Sequence, residues 1–383
     1  MSKLEELIAK LCPDGVEYKL IKDVCNINRG IVISKDDISD DSGNYPVYSS
    51  QTENDGELGR ISTYAYDGEY LTWTTDGANA GSIFYRFGKF NVTNVCGLLK
   101  IKDSDCVLAR YLYYALSITA HKYVNKGMGN PKLMSNSMAK IKIPIPPLPI
   151  QEEIVRILDN FTELTAELTA ELTARKQQYE YYRDSLLTFG EDVEWKTLGD
   201  IGRVSMCKRI MKAETKSDGD VPFFKIGTFG KTPDAFISQT IFDEYKGKYS
   251  FPQKGAILIS AAGTIGRTVI YDGKPAYYQD SNIVWIDNDE SKVLNKYLYY
   301  YYKLKPWNIS SGGTISRLYN DNISKAKIPI PSLFEQERIV AILDRFDTLV
   351  NDITIGLPAE IEARKKQYEY YRDKLLTFKE RVL

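Results

Sequence analysis

The sequence predicts a mixed α/β (α+β) fold: two similar β-rich domains separated by two long antiparallel helices, related by a pseudo-two-fold internal repeat. The segment ARKQQYEYYRDSLLTF at 174–189 returns as ARKKQYEYYRDKLLTF at 363–378, with fourteen of sixteen positions identical. KIPIPPLPIQEEIV at 142–155 returns as KIPIPSLFEQERIV at 327–340, with ten of fourteen identical. Short β-rich runs fill the sequence between these copies. A repeat of this size dictates the architecture, so each half of the chain is one structural unit.

The two halves follow one order from start to end. GVEYKLIKDV at 15–24 resembles DVEWKTLGDI at 192–201, and RYLYYAL at 110–116 resembles KYLYYYY at 296–302. Between these segments, runs such as YPVYSS, YLTWTT and GLLKIK in the first half, and VPFFKI, GAILIS and IVWID in the second, read as short strands between turns. Each half therefore predicts a compact domain built on a twisted sheet, followed by a tyrosine-rich helix.

A proline-rich segment and a long helix close each half. Because proline removes a backbone donor, IPIPPLP and IPIPSL are predicted to be turns outside any helix. Apolar residues then recur at helical spacing, which predicts a first helix from about Ile150 to about Phe189. The second helix is predicted to be kinked or interrupted at Gly356 and Pro358. Since isolated helices of this length need partners, each is expected to pack against the other.

Bulk composition gives bounds and no direct function. The chain has 383 residues, 43% of them hydrophobic, with a formal net charge of −1. No apolar run reaches the ~18–20 residues that span a bilayer, and the start MSKLEELIAKL lacks the apolar core of a secretory signal. We expect a cytoplasmic protein with no membrane association.

Metal and nucleophile chemistry has little support in the sequence. No two cysteines form a C-x-x-C pair, so all are predicted to be reduced thiols: Cys12, Cys25, Cys96, Cys106 and Cys207. The single histidine, His121, gives little basis for a zinc site or a Ser–His–Asp triad. NPKL at 130–133 lacks the aromatic residue of an adenine methyltransferase loop. We predict no metal site and no catalytic site.

Two glycine-containing loops occupy matching places, GANAG at 77–81 and GTIG at 263–266. Neither has the Gly-Lys-Ser/Thr ending of a P-loop nor the G-x-G-x-x-G spacing of a dinucleotide site. We interpret both as tight turns between strands, and the alternative is a close backbone approach to a polyanion.

Basic and polar residues gather beside the predicted turns, and Lys132 and Arg317 stand at equivalent places in the two halves. A solvated surface is the ordinary explanation for such residues. The alternative is a DNA-binding surface, since these side chains can pair with phosphates and base edges. The candidates are Arg29, Ser49, Ser50, Gln51, Arg60, Thr75, Asn79, Lys132, Lys208, Arg209, Lys225, Thr264, Arg267, Arg317 and Tyr319.

The first long helix contains LTAELTAELTAR at 164–175, three units of four residues. Replication slippage in a good helix-former explains it without any function. The alternative is a length adjuster, since one unit adds ~6 Å of rise and ~40° of rotation to a helix.

Taken together, these motifs resemble the specificity (S) subunit of a Type I restriction-modification system over the full chain. The resemblance rests on the two repeated segments, the Leu-Thr-Ala-Glu units, YPVYSSQTENDGELG and ILISAAGTIGRT…YYQDSNIVWI. It implies two target-recognition domains that each read half of a split double-stranded DNA site, and helices that set the spacing. It also implies a non-catalytic chain without a cofactor of its own. The partners would be two methyltransferase (modification) subunits, which carry S-adenosylmethionine and methylate adenine, and restriction subunits.

This resemblance implies a division of the chain and a docking surface. The domains would be 1–149 (first recognition domain), 150–190 (first spacer helix), 191–333 (second recognition domain) and 334–383 (second spacer helix). The repeated helix end would dock the partner subunits through Tyr179, Tyr182, Arg183, Tyr368, Tyr371 and Arg372. Two other functions stay open: a scaffold whose sheet domains bind proteins or glycans, and a hydrolase or transferase.

Overall fold

The structure is a computed structural model that describes residues 2–127, 129–308 and 317–381. Its internal contacts divide the chain into two units. The first unit comprises Met1–Thr169 and Glu360–Leu383, and the second comprises Ala170–Ala359.

The helices and strands, in chain order, are as follows. The helices are α1 (Lys3–Leu11), α2 (Ile21–Val24), α3 (Lys35–Asp40), α4 (Ala109–Thr119), α5 (Ser135–Met138), α6 (Leu148–Leu186), α7 (Leu198–Ile201), α8 (Gln239–Lys248), α9 (Asn295–Tyr302), α10 (Asn320–Ser324), α11 (Leu333–Asn351) and α12 (Leu357–Leu375). The strands are β1 (Glu17–Leu20), β2 (Cys25–Arg29), β3 (Ser42–Tyr48), β4 (Glu57–Ile61), β5 (Tyr66–Thr74), β6 (Ile83–Val92), β7 (Cys96–Ile101), β8 (Lys142–Ile145), β9 (Glu194–Thr197), β10 (Gly202–Ser205), β11 (Val221–Phe224), β12 (Phe236–Ile237), β13 (Ile257–Ser260), β14 (Thr268–Ile270), β15 (Tyr277–Tyr278), β16 (Ile283–Asn288) and β17 (Lys327–Ile330). This mixture of sheets and long helices confirms the predicted fold class.

The first unit is built on a six-stranded sheet with the order β2-β7-β5-β6-β3-β4. Successive side chains of a strand point to opposite faces, and β5 follows this rule. Leu71 and Trp73 pack into the core with α4, while Tyr70 packs with Phe90 in a second cluster. Gly68 and Gly88 lie opposite each other in the β5–β6 pair, and both have positive φ. Because glycine adopts such angles without steric cost, the strands stay paired through these residues.

The second unit repeats this strand order in two sheets, β10-β16-β13-β14 and β12-β11-β15. The matched strands also share pairing direction. In the first unit β3 runs parallel to β6 and antiparallel to β4, and in the second unit β11 runs parallel to β15 and antiparallel to β12. The predicted duplication of a sheet domain is therefore confirmed at the level of strand order.

The proline-rich segments are strands as well as turns, which corrects the sequence prediction. β8 pairs with β1 and places Pro144 opposite Tyr18, and β17 pairs with β9 and places Pro329 opposite Trp195. Each pair is a two-stranded sheet, so a proline can face outward without removing a hydrogen bond from a central strand.

A buried glutamine marks the start of each long helix. Gln151 in α6 accepts a hydrogen bond from the Leu108 N–H and donates to the Cys106 and Pro146 carbonyls. Gln336 in α11 accepts from the Leu294 N–H and donates to the Lys292 and Pro331 carbonyls. Both side chains are fully buried. The same amide therefore joins the long helix to the loop before the tyrosine-rich helix in both units.

The long helices differ from the prediction at their ends. α6 begins at Leu148 and ends at Leu186, about two residues earlier at its start and three at its end than expected. Pro149 lies in its first turn, where a missing N–H removes no helical hydrogen bond. The predicted interruption of the second helix is confirmed, since α11 ends at Asn351 and α12 begins at Leu357.

Candidate functional site

In the first unit, five loops meet beside the ends of the central strands β5 and β7. We call them the first loop surface: residues 29–32, 49–52, 75–82, 93–95 and 130–134. Polar contacts hold the loops together. Ser50 Oγ and Thr75 Oγ1 both donate to the Val95 carbonyl, the latter at 2.6 Å. Asn79 Nδ2 donates to Thr52 Oγ1 at 2.8 Å. Residues far apart in sequence thus form one continuous surface.

Two cations border this surface. The Leu133 N–H donates to the Thr75 carbonyl at 2.8 Å, and this contact carries the exposed Lys132 beside the glycine turn. Arg29, at the end of β2, is exposed and its Nη2 lies 3.4 Å from Met134 Sδ. Both charges therefore remain accessible to an anionic partner.

Other candidates of the first unit have different surroundings. Thr75 is only 2% exposed, so its side chain supports the loops rather than presenting a group to a ligand. Ser49 Oγ accepts from Thr93 Oγ1 at 3.1 Å, and Gln51 Nε2 donates to the Glu57 carbonyl. Arg60 lies on β4, outside the five loops, and pairs with the Glu57 carboxylate at 2.8 Å.

The second unit forms a matching surface. We call it the second loop surface: residues 206–209, 225–229, 261–267, 279–282 and 317–319. Arg209 Nε lies 2.9 Å from Asp280 Oδ2, and Arg317 Nη2 donates to the Ser281 carbonyl at 3.0 Å. Arg267 Nη1 donates to the Phe229 carbonyl at 2.8 Å. Three of the predicted arginines thus border one surface.

The remaining candidates of this unit are also at or near that surface. Lys208 is exposed, with its Nζ 5.2 Å from the centre of the Tyr249 ring. Lys225 Nζ pairs with Asp234 at 2.8 Å, Thr264 is exposed in the glycine turn, and the Tyr319 side chain is 55% exposed. Exposed ion pairs are worth little in water, so Lys225 can exchange the Asp234 carboxylate for another anion at small cost.

The two glycine loops are matched turns between strands, as interpreted from the sequence. The Ser82 and Arg267 N–H groups donate to the Thr74 and Ser260 hydroxyls at 3.1 and 2.8 Å. Gly81 and Gly266 follow the same course with φ of 87° and 78°. Just before each turn, a backbone carbonyl accepts a hydrogen bond from a loop distant in sequence: Thr75 accepts from the Leu133 N–H, and Ala261 accepts from the Leu318 N–H. Lys132 and Arg317, which precede these leucines, are therefore structurally equivalent.

An ion pair between the buried Arg86 and the exposed Asp55, which the sequence did not reveal, supports the first loop surface. Arg86 is 3% exposed and donates to the Asp55 carboxylate, to the Asp55 carbonyl at 2.6 Å and to Thr72 Oγ1 at 3.2 Å. Asn54 and Asp55 both have positive φ, which non-glycine residues rarely adopt. The arginine holds this unusual turn directly after residues 49–52. An isolated arginine in a strand carries no local pattern that would have revealed the contact.

The predicted docking residues are only partly at the surface. Tyr179 is 6% exposed, and its hydroxyl accepts from Lys303 Nζ at 3.1 Å within the second unit, so a direct partner contact would require repacking. Tyr182 is 40% exposed and stacks on Phe346. The tyrosines most open to solvent in the repeated segment are Tyr181 and Tyr370, at 69% and 63%.

The other four predicted docking residues are half-buried: Tyr368 and Tyr371, which match Tyr179 and Tyr182, and the neighbouring Arg183 and Arg372. Tyr368 packs against the core of the first unit, and Tyr371 stacks on Phe161. Arg183 and Arg372 each pair with the aspartate that follows, at 2.7 and 2.8 Å. The sequence identified the repeated segment, but its exposed face depends on packing.

Reactive groups are sparse in the described part of the chain. Burial raises the pKa of Cys25 and of Cys207 to about 12, so neither thiol is a nucleophile at neutral pH. Among residues 2–127, 129–308 and 317–381, no three histidine, cysteine or acidic side chains are grouped to hold a metal ion. Within the same residues, no helix is long and apolar enough to cross a membrane.

Comparisons with known proteins point in one direction. The family model described as "Type I restriction modification DNA specificity domain" matches twice, over residues 13–175 and 190–363. A putative type I restriction enzyme specificity subunit of Haemophilus influenzae is 50% identical over 374 residues, covering 95% of this chain and 96% of the relative. A putative type I specificity subunit of Mycoplasma pneumoniae is 35% identical over 363 residues, covering 94% and 96%.

A solved structure has the same fold. The crystal structure of a Type I restriction-modification S subunit from M. genitalium aligns with a TM-score of 0.60 at 15% identity, covering 94% of this chain and 96% of that one. At this identity, the likeness concerns the fold alone.

Proposed function

This chain belongs to the Type I restriction-modification DNA specificity family, and from that premise we propose that each of its units reads one half of a split site in double-stranded DNA. One observation carries the proposal: the two loop surfaces are built on the same turn and strand order but present different side chains. A duplicated frame with unlike surface chemistry suits two half-sites of unlike sequence.

Recognition would combine phosphate contacts, which fix the register, with base contacts in the major groove. Arg29 and Lys132 in the first unit, and Lys208 and Arg317 in the second, would pair with phosphates or with guanine. Asn79, which is exposed, has the amide that pairs with adenine. Binding that depends on these cations should weaken steeply as salt rises.

The long helices would set the spacing between half-sites. α6 continues without interruption through the Leu-Thr-Ala-Glu units, whereas the second helical segment is interrupted between Asn351 and Leu357. Deleting Leu168–Glu171 removes one unit, about 6 Å of helix. B-DNA rises about 3.4 Å per base pair, so the tolerated spacer should shift by about one or two base pairs while both half-sites persist. Loss of half-site preference would refute this role.

The chain would act in a complex and perform no chemistry of its own. We propose that two methyltransferase subunits, which carry S-adenosylmethionine, dock on the repeated helix ends, that restriction subunits can join, and that the complex works in the cytoplasm. The exposure of Tyr181 and Tyr370 favours them as docking residues over the buried Tyr179. The variant Tyr181→Asp/Tyr370→Asp should lose co-purification with the methyltransferase subunit. The control Phe87→Asp changes an aromatic residue that is 79% exposed on β6 and should leave it intact.

The deciding experiment maps methylated bases in DNA from cells that express this chain with its methyltransferase subunit. We expect methyladenine within a split motif, on both strands and only when this chain is present. Exchanging residues 200–325 for those of another specificity subunit should change one half of the motif. If methylation never depends on this chain while the methyltransferase is active with another specificity subunit, the scaffold alternative replaces this proposal.

A further inference from the structure

The first loop surface carries exposed apolar side chains that phosphate and polar base contacts leave unexplained. Ile31 and Val32 are 63% and 74% exposed, and Val95 and Met134, from two other loops of the same surface, are 37% and 42% exposed. We call these four residues the apolar patch. Single exposed apolar residues are common, but a group contributed by three loops at a binding surface indicates an interaction site.

The backbone presents this patch firmly. The Ile31 N–H donates to the Val92 carbonyl at 3.1 Å, and Ile31 bridges Thr93 in parallel. A Cβ on Gly30 would lie 1.7 Å from the Val92 carbonyl oxygen, so only glycine permits this approach. The strand end is therefore docked against the sheet while the next two side chains point into solvent.

The matched residues of the second unit have opposite chemistry. Asn28 pairs with Leu98 in the first unit, and Ser205 pairs with Trp285 in the second. Asn28 and Ser205 are therefore matched. Three and four residues further along the chain, Ile31 and Val32 correspond to Lys208 and Arg209. The Arg209 side chain is 67% exposed, and Lys208 is also exposed. Equivalent positions thus offer two methyl-bearing side chains in one unit and two cations in the other.

The major groove presents one apolar group, the C5 methyl of thymine, and aliphatic side chains are its partners. Arg29 lies against Met134 at the edge of the apolar patch, and Lys132 is two residues before Met134. Cations from two loops therefore border the apolar patch. We propose that Ile31 and Val32 contact the methyl group of a thymine in the half-site of the first unit. The matched position of the other half-site is contacted by Lys208 and Arg209, which select guanine or bind phosphate. This inference rests on the proposed function.

Deoxyuridine tests the contact, because it differs from thymidine only by the missing methyl group. Each thymine of the mapped motif, on both strands, is replaced singly in synthetic duplexes, and the affinity of the complex with methyltransferase subunits is measured. One or two replacements, in one half-site only, should weaken binding about fourfold, the effect expected for one buried methyl-sized group. In the variant Ile31→Ala/Val32→Ala, thymine and uracil should bind equally at those positions.

A matched variant isolates the effect. Lys208→Ala/Arg209→Ala should bind more weakly overall and respond less to salt, yet keep the fourfold preference for thymine. Because all four residues are exposed, folding should be unaffected, and circular dichroism checks this.

Each other outcome has a distinct meaning. Sequence-specific binding with no effect of uracil at any position overturns this inference and leaves the proposed function standing. A thymine preference that persists in Ile31→Ala/Val32→Ala also overturns it. If that variant loses the methyltransferase subunit, the apolar patch is a protein-docking surface. If no duplex is preferred over any other, the proposed function itself fails.

Discussion

The two units share strand order, turn and buried glutamine, but they differ at and beyond the position of Gly88 in β6. In the first unit β6 runs unbroken from Ile83 to Val92 through Gly88. In the second unit Gly273 stands at the matched position, and Pro275 follows it two residues later. Proline has no N–H to continue the ladder, and the matched strand is divided into β14 and β15. Pro275 thus helps to divide the same topology into two sheets, together with β13, which is shorter than β5.

The two units also differ two residues before this glycine. Arg86 in the first unit corresponds in strand register to Tyr271 in the second. The arginine reaches across to Asp55, whereas the Tyr271 hydroxyl donates to the Lys274 carbonyl at 2.8 Å and its ring packs on Phe251 and Tyr278. The first unit therefore uses a charge to hold the turn at Asn54 and Asp55, and the second fills the matched position with aromatic packing. The residues that the two units share form the strands and the turn, whereas the residues that differ contact the loops.

The largest expected effect tests what the units share. Gln151→Ala and Gln336→Ala should each lower the stability of their own unit by about 3 kcal/mol, because each removes the three hydrogen bonds of a fully buried side-chain amide. Hydrogen exchange followed by mass spectrometry of the whole chain reads each unit separately. Unequal losses, with one variant nearly neutral, would break the equivalence of the two helix starts.

The next effect tests where they differ. Asp55→Ala leaves the buried Arg86 charge with only neutral acceptors and should cost the first unit roughly 2–3 kcal/mol. This is below the range for fully buried pairs, because Asp55 is largely in water. Arg86→Met, which removes the buried charge, should cost less. The second-unit counterpart Tyr271→Phe removes one hydrogen bond and should cost about 1 kcal/mol. If Arg86→Met lowers the stability of the first unit more than Asp55→Ala does, the packing of the Arg86 side chain matters more than its charge.

A smaller effect concerns the helices. Phe161 stacks on Tyr371 with ring centres 5.6 Å apart, and Phe346 stacks on Tyr182 at 5.5 Å. These are the same contact in the two units. Phe161→Leu and Phe346→Leu should each cost about 1 kcal/mol, the usual value of an aromatic pair beyond its buried area. Urea titration of both variants measures it, and a difference above twofold would indicate that the two helix contacts are not equivalent.

The smallest effect is the pH dependence that Glu153 adds to the stability of the first unit. Hydrogen bonds from Arg156 and Lys3 lower the pKa of Glu153 from its ordinary 4.5 to about 2. The ionised carboxylate therefore stabilises the folded state above pH 4.5, and this contribution is lost as the pH falls toward 2. Both cations are exposed, so the contribution should be on the order of 1 kcal/mol. In Glu153→Gln, the first unit should lose less stability between pH 5 and 3 than in the unchanged chain. The second unit has Arg338 at this position and should not respond to the substitution.

Much of the architecture could be read from the sequence. The repeat, the tyrosine-rich helices and the interruption near Gly356 depend on periodicity and on glycine and proline, whose effects act on adjacent residues. The exception was the proline-rich segment. Its first residues form strands because a distant segment, residues 17–20 in the first unit, supplies the pairing partner. Such a partner leaves no mark on the local pattern.

The sequence by itself determined that the chain is two copies of one sheet-and-helix unit, because composition and periodicity act over neighbouring residues. Only the tertiary structure decided which side chains face outward. Thr75 is buried by the Val95 loop and Tyr179 by the second unit's core, while Ile31 and Val32 remain exposed beside the cations. Exposure depends on segments tens or hundreds of residues away, and folding alone brings them together.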